Sequence, residues 1–107
     1  MQQNENLLRM LSDCAAVCNK CARACLEEED VQRMTQCILL DLDCADICSL
    51  GHRFLSRGSV HADHLLKECH EICKACAEEC NKHRDMDHCR ECAEICQQCA
   101  EACMQAA

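Results

Sequence analysis

The chain has 107 residues, a formal net charge of −8 and 16 cysteines, but no proline, tryptophan or tyrosine. It has few of the turn residues of an all-β fold, and its single aromatic residue and acidic charge argue against a nucleic-acid-binding protein. The longest apolar stretch, residues 37–50, is interrupted by three aspartates, so we expect no membrane-spanning segment. Leucine, isoleucine, valine and phenylalanine make up less than a fifth of the chain, so cysteine must supply much of any core.

Four helices are predicted, because alanine, glutamate, glutamine, lysine and arginine fill the spaces between the cysteines and favour helix. The segment SRGS at 56–59 is the clearest turn signal, and Ser59 and Asp85 are candidate N-caps. Short connections make successive helices antiparallel. The predicted fold is therefore all-α, a single-domain, up-down-up-down four-helix bundle over residues 1–107. In chain order, the helices are expected at about 4–29, 30–55, 60–82 and 85–105.

The cysteines follow a regular spacing of three and four residues, or seven, within each predicted helix. This spacing is that of the a and d positions of a heptad, which face the interior of a bundle, so we predict a cysteine-lined core. Three segments nearly repeat one another, namely CAAVCNKCARAC, CHEICKACAEEC and CAEICQQCAEAC, and CADIC is a shortened copy. The sixteen cysteines are Cys14, Cys18, Cys21, Cys25, Cys37, Cys44, Cys48, Cys69, Cys73, Cys76, Cys80, Cys89, Cys92, Cys96, Cys99 and Cys103.

Metal binding explains this cysteine pattern better than packing or disulfide formation. Sixteen small side chains along one axis would leave a void if they served only as packing. Disulfides within a helix are disfavoured, because residues three or four apart have Cβ atoms about 5–6 Å apart, whereas a disulfide needs about 3.8 Å. Two thiolates in a C-x3-C pair can hold one soft ion between them, and this pair occurs seven times. The sequence therefore predicts a series of metal sites with all sixteen cysteines as ligands.

An all-thiolate lining selects Cu(I), zinc or an iron–sulfur cluster. Iron–sulfur proteins usually bind through loops rich in glycine and proline, whereas these cysteines lie within predicted helices. Zinc needs four thiolates for each tetrahedral site, whereas two or three thiolates satisfy Cu(I). We therefore predict storage or sequestration of many Cu(I) ions. A zinc or cadmium thiolate buffer and a thiol-based redox sensor remain alternatives, and since no catalytic arrangement of residues is recognisable, we do not expect an enzyme.

The repeat C-A-x-I/V-C-x2-C-A-x2-C resembles that of the bacterial cysteine-rich four-helix-bundle copper storage proteins, over most of the chain from Cys14 to Cys103. The resemblance implies multinuclear Cu(I) storage inside a bundle and a homo-oligomer, commonly a tetramer. The initial segment MQQNE does not read as a secretory signal, so the chain is similar to the cytosolic members, in a compartment where thiols stay reduced. The second helix departs from the repeat, because Asp41, Gly51 and Leu55 stand where further cysteines could lie.

The heptad pattern predicts that one end of the core is closed by apolar side chains. When the cysteine spacing of all four helices is extended towards the end that holds the start of the first helix, the inward positions are filled by large apolar residues and one alanine. We call this predicted apolar closure a plug. The expected members of this plug are Leu7, Leu11, Leu55, Leu65 and Ala106.

At the opposite end the pattern places Glu28 together with thioether and imidazole side chains, and thioether and imidazole ligands suit Cu(I). We predict that copper enters and leaves the core there, with Met34, His83, Met86 and His88 as candidate ligands. The remaining four histidines are expected on the surface. The expected partners are proteins that donate or accept Cu(I) by exchange of thiolate ligands, such as copper chaperones or apo-cuproproteins, and neither nucleic acid nor membrane is expected.

Two acidic features near the cysteine face are expected to be solvated. Asp41 falls between Cys37 and Cys44 in the heptad, so one interpretation is a buried carboxylate near a cation cluster. We favour the other, in which Leu40 takes the inward position and Asp41 turns outward. The acidic run at 27–30 is predicted to be a helix boundary and an exposed surface.

Overall fold

The computed structural model describes residues 2–107. Over these residues, four long helices and one short one make up the fold, and each long helix packs against its two neighbours around the bundle. The bundle is antiparallel and measures 44 × 17 × 17 Å, which confirms the predicted all-α, four-helix architecture. Within residues 2–107, no helix is long and apolar enough to cross a membrane. The helices are α1 (Gln2–Leu26), a 3-10 helix (Val31–Met34), α2 (Thr35–Ser56), α3 (Ala62–Asn81) and α4 (Asp87–Ala106).

The repeated sequence explains how the helices pack. All sixteen cysteines face the bundle axis and are at most 1% exposed. At six positions the residue directly after a cysteine is a buried alanine, whose small side chain permits close helix contact. At four positions the residue directly before a cysteine is isoleucine or valine, and this residue is partly buried against the core. The alanines are Ala15, Ala22, Ala45, Ala77, Ala93 and Ala100, and the branched residues are Val17, Ile47, Ile72 and Ile95.

The connection between α1 and α2 is longer than predicted. α1 ends at Leu26 rather than near residue 29. The side chain of Asp30 then accepts a hydrogen bond from the backbone N–H of Arg33 at 3.4 Å and begins the 3-10 helix. As a result α2 begins at Thr35 rather than near residue 30.

The two candidate N-caps are wrong. α3 begins after His61, and Ser59 instead accepts a hydrogen bond from the His61 N–H at 3.1 Å within the preceding turn. α4 begins after Met86, and Asp85 forms an exposed ion pair with Arg33. Gly58, with φ of +64°, ends α2 in the left-handed conformation that glycine tolerates best.

The apolar end of the core differs in detail from the prediction. Leu7 and Leu11 are buried as expected. Leu66 is 1% exposed, whereas Leu65 is only half-buried, because the residue three positions before Cys69 faces the axis more directly than the residue four before it. Leu55 is partly buried against the core, while Ala106 is exposed at the last turn of α4. We refer to Leu7, Leu11 and Leu66 below as the leucine plug.

Candidate metal centre

The sulfur atoms of different helices lie close enough to share metal ions. Cys44 Sγ is 3.3 Å from Cys73 Sγ, Cys48 Sγ is 3.5 Å from Cys69 Sγ, and within α1 Cys14 Sγ is 4.0 Å from Cys18 Sγ. All sixteen cysteines are free thiols. Two metal–sulfur bonds of about 2.3 Å allow the sulfurs on one ion to lie up to about 4.6 Å apart. The observed separations therefore fit soft metal ions with little movement of the helices.

The thiols form overlapping groups of four along the core. In each group, the sulfur atoms all lie within 4.8 Å of one another. Because neighbouring groups share cysteines, one thiolate can bridge ions in two groups, which favours metal clusters over separate mononuclear sites. The all-cysteine groups include Cys14, Cys18, Cys44 and Cys96; Cys14, Cys44, Cys48 and Cys73; Cys18, Cys76, Cys92 and Cys96; and Cys48, Cys69, Cys73 and Cys99.

Neighbouring thiols influence one another's ionisation. A hydrogen bond with Cys18 lowers the pKa of Cys14, while the same contact, with burial, raises the pKa of Cys18. The first C-x3-C pair of α3 shows the same effect. Hydrogen bonds with other thiols lower the pKa of Cys69 and raise the pKa of Cys73. Buried like charges cannot ionise together, so the metal-free core holds most of its protons. Metal binding must therefore displace protons from these thiols.

Asp41 lies inside the core, contrary to the expectation that it turns outward. Its side chain is fully buried, and its Oδ1 accepts hydrogen bonds from Cys76 at 3.1 Å, Cys92 at 3.4 Å and Cys80 at 3.5 Å. Leu40, expected inside, is only half-buried at the edge of the core. Burial, followed by the charges of Cys92 and Cys76, raises the pKa of Asp41 from 3.8 to about 11. Asp41 therefore adds one oxygen donor, neutral before metal binding, to the sulfur-lined core.

Among the four predicted non-cysteine residues, His88 places a ring nitrogen within hydrogen-bond distance of thiols. Its Nδ1 forms a metal-competent group with Cys21, Cys25 and Cys89. The distances from Nδ1 to the three sulfurs are 3.5 to 3.9 Å. Its Nε2 is 2.9 Å from Oε2 of Glu28, which lies in the acidic run predicted to be solvated. The prediction that residues 27–30 are solvated is therefore wrong for Glu28.

The other three candidates at this end are buried or partly buried beside the thiols. Met34 is fully buried in the 3-10 helix, and Met86 packs against the cysteine core. His83 is 6% exposed, and its Nε2 is 3.2 Å from Oε2 of Glu79 one turn earlier. Its Nδ1 is buried without a hydrogen-bond partner among the residues that the structure describes. The structure therefore places all three at the predicted end.

The remaining histidines lie away from the sulfur-lined core. His61 and His64 are exposed, and His52 is half-buried beside Ser56. His70 was expected on the surface, but it is half-buried, and its Nδ1 lies 2.8 Å from the carbonyl oxygen of Ala100 on α4. It takes the place of the alanine that follows the first cysteine in the other repeats, and it links α3 to α4.

Comparison with known proteins identifies relatives over nearly the whole chain. A family model described as copper storage protein matches residues 1–107. An uncharacterized cysteine-rich protein of Bacillus subtilis, YhjQ, is 41% identical over 89 residues, which cover 83% of this chain and 82% of the relative. The structure of a Cu(I)-bound copper storage protein, BsCsp3, is 40% identical with a TM-score of 0.91 and covers 96% of both chains. The five-copper structure of a cytosolic copper storage protein from Streptomyces lividans is 38% identical with a TM-score of 0.93, covering 97% of this chain and 91% of that one.

Proposed function

The chain belongs to the copper storage protein family, and on that premise we propose that it holds its Cu(I) ions on the sixteen thiols of its core. The observation that carries this assignment is the overlap of four-sulfur groups along the axis. The Cu(I)-bound relative of the same fold supports the choice of metal. A zinc or cadmium buffer and a redox sensor are not favoured, since neither accounts for so continuous an array of free thiols.

The number of thiols sets the range of the copper capacity. If each ion takes two thiolates and none is shared, sixteen cysteines hold eight ions. Sharing of thiolates between adjacent groups raises the capacity towards one ion for each cysteine, and it also brings the cluster closer to neutrality, which favours its burial. We therefore propose bridged copper–thiolate clusters, with Asp41 as an oxygen ligand among Cys76, Cys80 and Cys92.

Copper reaches these clusters, in our proposal, through the end of the bundle that carries Met34, His83, Met86 and His88. The leucine plug closes the other end, which supports a single direction of loading. The Nδ1 atom of His88 lies beside three thiols, and the buried thioether of Met34 lies in the same core. The expected donors and acceptors are proteins that pass Cu(I) by ligand exchange, and we assign the protein no catalytic role.

Two further features of the family are proposed for this chain. The Streptomyces lividans relative is described as cytosolic, which supports a cytosolic location, where the thiols stay reduced. We also propose a homo-oligomer, with a tetramer as the expected form. Sedimentation velocity on the metal-free and copper-loaded protein tests the assembly, and a monomer in both states would contradict it.

Anaerobic titration of the reduced protein with Cu(I), in the presence of a strong chromogenic chelator, tests the storage assignment. We expect uptake of at least eight equivalents, since sixteen thiols are available. The same titration with Zn(II) is the matched control. Saturation near four Zn(II), together with weak copper uptake, would support the zinc buffer instead, and rapid reversible oxidation of the thiols would support the redox sensor.

A pair of methionine variants tests the direction of loading. Met86→Leu removes a thioether at the proposed opening, whereas Met104→Leu removes one that is 56% exposed near the other end. Both changes conserve side-chain volume. We expect slower Cu(I) uptake from the chelator complex only for Met86→Leu, as measured by stopped-flow absorbance, and equal rates for the two variants would contradict the proposed opening.

A further inference from the structure

His88 lies between thiols of the core and a carboxylate that comes from a distant part of the chain. Its Nδ1 is 3.5 Å from Cys21 Sγ, 3.5 Å from Cys89 Sγ and 3.9 Å from Cys25 Sγ. On the other side of the ring, Nε2 is 2.9 Å from Oε2 of Glu28, 60 positions earlier in the sequence. Glu28 follows α1 and His88 lies in the first turn of α4, so the imidazole connects two elements across the end of the core.

The contact with Glu28 decides which ring nitrogen carries the proton. A neutral imidazole has one N–H, and either nitrogen can hold it. A carboxylate accepts hydrogen bonds and donates none, so the 2.9 Å contact is favourable when Nε2 carries the proton. The reverse tautomer would turn the lone pair of Nε2 towards the carboxylate oxygen. With the proton on Nε2, the lone pair of Nδ1 faces the three sulfurs, which is the form that metal ligation requires.

We propose that Glu28 is a positioning residue that fixes His88 in the Nε2–H tautomer and thereby makes Nδ1 a ligand for Cu(I) held by Cys21, Cys25 and Cys89. The ligand half of this inference rests on the proposed function, whereas the tautomer is a property of the metal-free protein. A carboxylate bonded to the outer nitrogen of a metal-binding histidine orients the ring and makes it a stronger donor, and losing such a partner costs about 10- to 100-fold in metal affinity.

Three variants separate this role from that of an ordinary ion pair. Glu28→Ala removes the acceptor, while Glu28→Gln replaces it with an amide that can donate to Nε2 as well as accept from Nε2–H and so does not select one tautomer. Glu27→Gln is the matched control, because Glu27 is exposed and its carboxylate lies 3.6 Å from Arg23. Each protein is labelled with 15N-histidine, and long-range 1H–15N correlation spectra report the tautomer in the metal-free state. His88→Gln identifies the His88 signals.

The same spectra are then recorded during anaerobic addition of Cu(I) buffered by a competing chelator. In the wild type and in Glu27→Gln we expect a protonated Nε2 and an unprotonated Nδ1. In Glu28→Ala and Glu28→Gln we expect both tautomers, and the Nδ1 signal should respond to copper only at free Cu(I) about 10-fold higher or more.

Different results would overturn different parts of the argument. A tautomer that is unchanged in both Glu28→Ala and Glu28→Gln would refute the positioning role. A wild-type Nδ1 signal that ignores copper while the sixteen thiols load would refute His88 as a ligand. In that case, a tautomer change in metal-free Glu28→Ala would still support the positioning role and leave copper storage by the thiols unaffected.

Discussion

Asp41 makes the stability of the metal-free bundle depend on pH in a way that one substitution can reveal. The carboxyl group is fully buried, and burial, followed by the charges of Cys92 and Cys76, raises its pKa from 3.8 to about 11. At neutral pH the native state therefore keeps the proton on Asp41, whereas the unfolded chain releases it. When the native state binds the extra proton, the free energy of unfolding decreases as the pH rises.

The size of the effect follows from the interval over which only the unfolded chain has lost the proton. The stabilisation is complete below pH 3.8, and it is lost progressively as the pH rises towards 11. Each pH unit removes about 1.4 kcal/mol, so between pH 3.8 and pH 7 the wild type loses about 4 kcal/mol through this group. That loss is a large part of the stability of an ordinary domain.

Asp41→Asn removes the titration and keeps a carbonyl oxygen that can accept from Cys76, Cys80 and Cys92. We expect this variant to be more stable than the wild type at pH 7, with the difference growing by about 1.4 kcal/mol per pH unit from pH 5 to pH 7. Urea unfolding of the reduced, metal-free proteins, followed by far-UV circular dichroism, measures it. Asp43→Asn on the exposed face of α2 is the control. If Asp41→Asn and the wild type change in parallel with pH, Asp41 is not held neutral in the core.

The remaining predictions concern the leucine plug and the glycines, and urea unfolding at pH 7 measures both. Leu11→Ala is expected to lower the free energy of unfolding by about 2–5 kcal/mol, because Leu11 is fully buried. Leu39→Ala, at a residue 52% exposed, should change it by about 0.5 kcal/mol or less. Equal losses in the two variants would contradict the stabilising role of the leucine plug. Gly51→Ala should stabilise the protein by about 0.5–1 kcal/mol, because the new Cβ meets only Leu11 Cδ2 at 4.0 Å, and Gly58→Ala should destabilise it by about 1 kcal/mol because φ is +64°. Effects of the same sign at the two glycines would refute this account.

The cysteine spacing was sufficient to predict the fold, and it also indicated that Asp41 faces the core. Cys37, Asp41, Cys44 and Cys48 are separated by four, three and four residues, as are the cysteines of the other repeats. The outward prediction for Asp41 departed from this register by giving the inward position to Leu40. In the structure the cost of burying a carboxylate is reduced, because the carboxyl group stays neutral and surrounding thiols donate to it. The heptad position was the stronger signal.

The contacts of the histidines could not be predicted from spacing in the same way. His88 immediately precedes Cys89, which suggests a place near the core but not a partner for its second nitrogen. Glu28 is 60 residues away, and its approach depends on where α1 ends and how the 3-10 helix redirects the chain. The heptad pattern places Glu28 at the same end as His88, but an acidic run after a helix is usually solvated, so the pairing of Glu28 with the imidazole was not predicted.

Packing and metal binding fall on different positions of the same heptad, and this separation bears on whether copper is needed for folding. The cysteines face the axis, while the alanines and branched residues beside them bury the contacts between helices. The leucine plug and Met34 supply large buried side chains at the two ends. Zinc fingers, by contrast, fold only when the metal is bound, because they have too little apolar contact without it. Here alanine, leucine and branched side chains add apolar contacts between helices to those made by the sulfurs, so the bundle has a basis for folding before copper arrives. Cu(I) ions can then replace the protons of thiols whose sulfur atoms are already 3.3 to 4.0 Å apart.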